Sequence, residues 1–190
     1  MRIALTGGIA CGKSLLAEYL NELGVKTLDA DDIVHELIPE EERRRIADEV
    51  FRDPAKRKEL EGRIHPLVRE RLEAFAREGD GIRVEIIPLL FECRWEKDYD
   101  IIITVFSPRS IQVERMTSRR GYSEEQAEAR MSAQFPVEEK VSRSDYIIEN
   151  SGSAEDLKYE ARKLVDWLKG IQNGRRNREE GKKGAQGQGS

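Results

Sequence analysis

Much of what would mark a secreted, membrane-bound or nucleic-acid-coating protein is missing from this sequence. It holds two cysteines, Cys11 and Cys93, in no CxxC spacing, so they offer neither a disulfide framework nor a zinc site, and a reducing, cytoplasmic setting is expected. The most apolar stretch is interrupted by Pro88 and bounded by Glu85 and Glu92, far short of the roughly 20 residues that cross a bilayer. A secretory leader is not expected either, because the apolar opening Ile3 to Leu5 runs straight into glycines. There is no excess of positive charge: 33 Lys+Arg against 37 Asp+Glu give a net charge of -4. Nucleic-acid binding through a bulk positive field is therefore disfavoured. No internal repeat is visible.

What is present fits one enzyme-sized domain. The chain has 190 residues, of which 38% are hydrophobic and 37% charged, and about two thirds of the surface of a chain this long can be buried. Arg2 to Thr6 reads as a strand, Gly7 to Gly12 as a loop, and Lys13 to Glu22 as a helix with Leu15, Leu16, Tyr19 and Leu20 at helical spacing. Gly24 ends that helix, Val25 to Leu28 is a second strand, and Asp31 or Asp32 is placed to cap a helix carrying Ile33, Val34 and Leu37. This alternation predicts a parallel sheet covered by helices.

From Glu40 to Arg77 the pattern is helical alone, broken at Asp53-Pro54 and His65-Pro66, with Val50, Phe51, Leu60, Ile64, Leu67, Val68, Leu72 and Phe75 as its apolar stripe. An insertion there packs at the carboxyl edge of an open sheet, where ligands bind. Further strands are predicted over Ile82 to Leu90, Ile101 to Phe106 and Tyr146 to Ile148. Helices are predicted over Arg109 to Gly121, Ser123 to Gln134 and Ala154 to Leu168. Residues 170–190 hold six glycines, five Lys/Arg and almost nothing apolar, a composition that predicts disorder.

The strongest motif is Gly7-Gly8-Ile9-Ala10-Cys11-Gly12-Lys13-Ser14, which fits GxxxxGK[ST] and falls where it must, after a strand and at the start of a helix. Glycines let the backbone wrap a polyphosphate, while successive N–H groups and the helix N-terminus supply positive potential. Lys13 can reach the β and γ phosphates, and the Ser14 hydroxyl can ligate Mg²⁺. Cys11 reads either as a thiol of lowered pKa near a helix N-terminus or as a small filler. There is no DxxG and no NKxD, so a guanine-nucleotide switch is disfavoured. Instead, Asp29-Ala30-Asp31-Asp32 follows the second strand. A kinase of a hydroxylated acceptor needs a carboxylate there to orient or deprotonate the hydroxyl and to hold Mg²⁺ through water. Asp29 and Asp31 compete for that role.

With TGGIACGKS at 6–14, LDADDI at 28–33, IHP at 64–66, IPLLFE at 87–92 and SDYIIEN at 144–150, the chain resembles the dephospho-coenzyme A kinase family from Arg2 to about Leu168. The resemblance implies a P-loop fold of three α/β/α layers with a five-stranded parallel sheet, a helical acceptor-binding insertion and a helical lid. On this basis residues 1–169 form one kinase domain, with core segments at 1–38, 82–110 and 144–169, an acceptor lobe at about 39–78 and a lid at about 115–143. The implied reaction moves the ATP γ-phosphoryl group to the ribose 3'-hydroxyl of dephospho-CoA, the last step of coenzyme A synthesis, with Mg²⁺ as cofactor.

Carried over by position, the catalytic carboxylate falls on Asp31 and the nucleotide loop on Gly8, Ile9, Ala10, Cys11, Gly12, Lys13, Ser14 and Leu15. The acceptor side falls on His65 and on Leu89, Leu90, Phe91 and Glu92. Arg119 matches the family's lid arginine, with Arg115 one turn before it on the same helix face. Arg143 matches an arginine placed to reach a phosphate from the other side, and Asn150 falls near the adenine. Plainer readings stay open: His65 as a helix terminus stopped by Pro66, Leu89 to Phe91 as core, the arginines as surface ion pairs. Two departures stand out. The stretch between Pro39 and Arg44 is shorter than in the family, which predicts a smaller acceptor lobe, and Glu85 is the sole carboxylate on the third strand. The competing readings are another small-molecule P-loop kinase such as shikimate kinase and a module that binds ATP without transferring phosphate.

Overall fold

The computed structural model describes residues 1–43, 46 and 53–186. Five strands, β1 (Ile3–Gly7), β2 (Lys26–Asp29), β3 (Arg83–Ile86), β4 (Ile101–Phe106) and β5 (Tyr146–Glu149), form one sheet in the order β2-β3-β1-β4-β5, with every pairing parallel. The helices are α1 (Lys13–Glu22), α2 (Ala30–Leu37), α3 (Pro54–Arg77), α4 (Arg109–Arg120), α5 (Glu124–Ser132), α6 (Val137–Ser142) and α7 (Ala154–Gln186).

Strand periodicity explains the layering. Side chains alternate across a sheet, so Ile3, Leu5, Ile101 and Ile103 pack with Leu16 and Leu20 of α1 and Leu157, Ala161 and Leu164 of α7. Ala4 and Ile102 turn to the other face, against Ala30 and Ile33 of α2 and Val68 and Leu72 of α3. The predicted three-layer α/β/α fold is thus present. The chain adds β2 and β3 on one side of β1 and β4 and β5 on the other. That reversal opens a crevice at the carboxyl end of β1, the place where doubly wound sheets bind ligands.

Several local expectations are corrected. Asp29 caps α2, its Oδ1 accepting from the Asp31 N–H at 2.9 Å; Asp31 and Asp32 sit in the first turn instead. Strand β3 stops at Ile86, because the segment from Pro88 to Arg94 turns back on itself, with Leu90 N–H donating to Ile87 O and Cys93 N–H to Leu89 O. Pro66 does not break the helical insertion but lies inside α3. Asp53 starts that helix by accepting from the Ala55 N–H at 2.8 Å. Along it Val68 and Leu72 are buried and Ile64 packs against them, whereas Leu67 is exposed; Val50 and Phe51 lie outside the described residues. A helix, α6, occupies 137–142 where none was predicted. The final helix passes Leu168 and runs to Gln186, because Gly170 and Gly174 weaken a helix without removing a backbone donor. The segment expected to be disordered is therefore helical through 186, and 187–190 lie outside the described residues.

The third strand's carboxylate has a structural partner. Glu85 is 1% exposed and accepts from Arg2 Nη2 at 2.7 Å, Arg2 Nε at 3.1 Å and the Tyr99 hydroxyl at 2.5 Å, so it belongs to this cluster under β1 and not to the phosphate loop. Removing one partner of a buried pair strands a charge. Arg2→Met is expected to lower unfolding free energy by about 3 kcal/mol, and adding Glu85→Leu to recover most of that loss. Urea unfolding of both variants checks it, and a double variant less stable than Arg2→Met would contradict the assignment.

Candidate active site

The loop between β1 and α1 is shaped by contacts that its sequence alone does not reveal. A Cβ on Gly7 would lie 2.4 Å from the Val105 carbonyl oxygen, and Gly12 takes the left-handed φ of 92°, so both glycines are sterically required. Behind the loop, Asn150 Nδ2 donates to Cys11 O at 2.8 Å and Arg115 Nη1 donates to Ala10 O at 3.3 Å. Arg115 also donates to Asn150 O at 2.9 Å and Ser107 Oγ at 3.1 Å, and Ser107 Oγ donates to Asn150 O at 2.7 Å. Two loop carbonyls are thus tied down from behind by Arg115 of α4 and by Asn150 at the end of β5, the arrangement an anion-binding nest of N–H groups needs.

Lys13 Nζ donates to Gly7 O and Gly8 O at 3.1 and 2.9 Å, folded over its own loop. Loss of hydration lowers its pKa, and the Lys140 charge acts in the same direction while Asp31 and Asp29 oppose it. Desolvation raises the pKa of Asp31, with Lys13 opposing, so the two groups sense each other across the crevice. Among the described residues Asp31 has no hydrogen-bond partner for its carboxylate, whereas Asp29 spends Oδ1 on the helix cap. Of the two candidates, Asp31 is the one left unengaged.

Arg115, Arg119 and Arg120 line a 210 Å³ cleft together with Gly12, Lys13, Ser14 and Asn150. Leu15 lines that cleft as well, while Arg143 and the expected acceptor-side residues lie elsewhere. Arg143 does not line that cleft: its guanidinium lies over the Phe91 ring at 4.3 Å and pairs with Glu96 at 2.6 Å and Glu139 at 3.6 Å. Asn150 is buried and holds the loop from behind. Leu90 and Phe91 are core side chains, while Leu89 is half-buried. His65 sits edge-on to Trp95 at 5.1 Å in a separate cleft with Arg69 and Glu73 of α3, its pKa lowered by burial. Glu92 accepts from Lys140 Nζ at 2.8 Å and Phe135 N–H at 2.9 Å. Cys11 is fully buried and its thiol pKa is raised by that burial, which corrects the reactive-thiol alternative and leaves the filler.

Sequence reasoning missed Lys140, Gln112 and the loop-holding role of Arg115. Lys140 stands among Glu138 and Glu139 in a charged segment, and nothing local signals that it is fully buried. A divalent cation fits the residues at hand. No cluster of three or more His, Cys, Asp or Glu side chains converges among the described residues, so an ion would rely on Ser14 Oγ, a carboxylate of Asp29 or Asp31, and oxygens of a bound nucleotide. That sparse oxygen set suits Mg²⁺.

The fold and this loop define a P-loop kinase. A family model described as dephospho-CoA kinase matches residues 1–43 and 39–156. The chain is 35% identical to the dephospho-CoA kinase of Aquifex aeolicus over 191 residues, 88% of this chain and 97% of that one. It is equally identical to the one from Wolinella succinogenes, with 88% and 94% covered. Among solved structures, one from Thermus thermophilus aligns with TM-score 0.76 and 35% identity over 88% of this chain and 97% of that chain. Dephospho-CoA kinase from Campylobacter jejuni aligns with TM-score 0.65 and 29% identity, covering 88% and 96%. A shikimate kinase from Bacteroides thetaiotaomicron, 17% identical with TM-score 0.55, covering 89% and 98%, shares the fold alone. The chain belongs to the dephospho-CoA kinase family.

Asn150→Ala frees the Cys11 carbonyl and loosens the loop without touching Asp31. The expected result is a KM for ATP raised about tenfold, the worth of one buried hydrogen bond, with kcat changed less. Steady-state kinetics against varied ATP read this. In the folded protein Cys11 is also expected to react with a thiol reagent more slowly than Cys93, which mass mapping of the labelled thiols reads.

Proposed function

We propose that this chain transfers the γ-phosphoryl group of ATP to the ribose 3'-hydroxyl of dephospho-CoA, yielding CoA and ADP in the cytoplasm. The observation that carries the reading is the unengaged carboxylate of Asp31 facing Lys13 across the crevice above β1. In it, the loop N–H groups and Lys13 hold the β and γ phosphates, and Lys13 exchanges its two backbone acceptors for phosphate oxygens. Asp31 accepts the proton of the acceptor hydroxyl as that oxygen attacks the γ-phosphorus, and the bond to the β-phosphate oxygen breaks with ADP leaving. Arg119 meets the charge that spreads over the transferred group. Ser14, with Asp29 or Asp31 through water, would hold Mg²⁺, which when bound neutralises charge between the β and γ phosphates.

The acceptor lies on the other side of Asp31, towards the insertion at about 39–78, with His65 and Leu89 at its margins. Arg143, Leu90, Phe91 and Glu92 support that wall from behind. Among the described residues no helix is long and apolar enough to cross a membrane.

A base must be ionised to act. Because desolvation raises the Asp31 pKa, kcat/KM is expected to rise with pH through an acid limb displaced above the ordinary aspartate range and then level off. Asp31→Asn should remove that limb and lower kcat by about 10³ with ATP affinity little changed. Coupled ADP release with dephospho-CoA, run beside shikimate and other hydroxylated acceptors, tests substrate and base together. A near-normal rate in Asp31→Asn, or a preference for another acceptor, would refute the proposal.

A further inference from the structure

We infer that Glu92 and Lys140 are positioning residues that lock the returning arm of the lid onto the wall of the acceptor site. The Lys140 ammonium is fully buried, which is costly for a charge unless it is paired and hydrogen-bonded. Its Nζ meets Glu92 Oε1 at 2.8 Å and donates to Pro88 O at 2.8 Å, an oxygen that also accepts from Thr6 Oγ1 at 3.2 Å. The same Glu92 oxygen accepts from the Phe135 N–H at 2.9 Å. One carboxylate therefore grips the chain on both sides of Pro136, just before α6 and within it. A turn later Arg143 lies over Phe91 and pairs with Glu96.

The turn from Pro88 to Glu92, the end of β1 and α6 are in this way a single unit. At the lid's other end Arg115 is tied to Ala10 and Asn150. Between Gly121, whose left-handed φ of 68° ends α4, and Phe135 lies α5, which is held to α4 through the Arg109–Glu128 pair and not to the acceptor wall by this lock. The arm from 136 to 143 stays with the acceptor wall. Glu92 thus acts through Lys140 and the backbone, and not by touching the acceptor. What the lock positions rests on the kinase reading above; the lock itself does not.

Hydrogen exchange on the free, full-length protein reads the lock apart from catalysis. Lys140→Met and Glu92→Gln are each expected to speed exchange over residues 137–143 at least about tenfold while leaving α1 at its wild-type rate. If Lys140→Met also speeds α1 through general unfolding, Glu92→Gln decides, because its amide oxygen can still accept from Phe135. In kinetics, Glu92→Gln should lower kcat about tenfold or more with the KM for dephospho-CoA within about twofold. The double variant should be no worse than the worse single. Unchanged exchange over 137–143 in Glu92→Gln overturns the lock, and a raised KM at constant kcat overturns the positioning role in favour of direct acceptor contact. A wild-type protein inactive towards dephospho-CoA would defeat the proposed function, while faster exchange would still support the lock.

Discussion

Two carbonyl groups, those of Ala10 and Cys11, hold the site in shape. Left to itself, a glycine-rich loop has many conformations, and only a few of them turn successive N–H groups towards one anion. Here Arg115 and Asn150 draw those two carbonyls backwards, and Ser107 and Gln112 brace the pair by linking Ser107 to Asn150 O and to the Gln112 amide at 2.7 and 2.8 Å. The braces come from α4 and from the carboxyl ends of β4 and β5, so the loop is correct only once the sheet and α4 have packed together. Gly12 is the counterpart of this arrangement: a Cβ there would lie 2.2 Å from Asn150 Nδ2.

The same economy of contacts runs through the other half of the crevice. Pro88 O and Glu92 are the points on which Thr6, Lys140 and Phe135 converge, and they sit one strand over from the phosphate loop. The site is thus bounded by two braced turns at the ends of β1 and β3, with Asp31 presented by α2 beyond the end of β2. Loss of hydration in that confined space moves the Lys13 pKa downwards and the Asp31 pKa upwards, each opposed by the charge of the other. Charges outside the crevice, such as the Arg2–Glu85 pair, serve the packing of the sheet.

Much of the fold was legible because its signals are local. The alternation at Ile3 to Leu5, the helical spacing of Leu16 and Leu20, and the glycines around Lys13 each depend on neighbours within a few residues. Where legibility failed, a distant partner decided. Pro66 stays inside α3 although proline disfavours a helix interior, because α3 packs Ile64 before that position and Val68 and Leu72 after it against the core. The apolar run from Ile82 to Leu90 has a strand's composition throughout, yet only its first half is paired in the sheet. Leu90 and Phe91 then serve the core from a turn. For Arg115 and Arg119 helix position was readable, and for Arg143 a place before the last strand, but destination was not: Arg115 ties the loop and lines the cleft, Arg119 lines the cleft, and Arg143 covers Phe91.

Residue order alone therefore settled that a nucleotide loop follows the first strand, that a carboxylate cluster follows the second, and that both lie at one edge of a parallel sheet. These follow from periodicity and from the steric demands of glycine, which operate over short stretches of chain. Tertiary structure decided which carboxylate is spent on a helix cap, which arginines line the cleft, and that Lys140 is buried. Those outcomes depend on desolvation and on hydrogen bonds between residues far apart in the chain, and such partners exist only after the chain has folded.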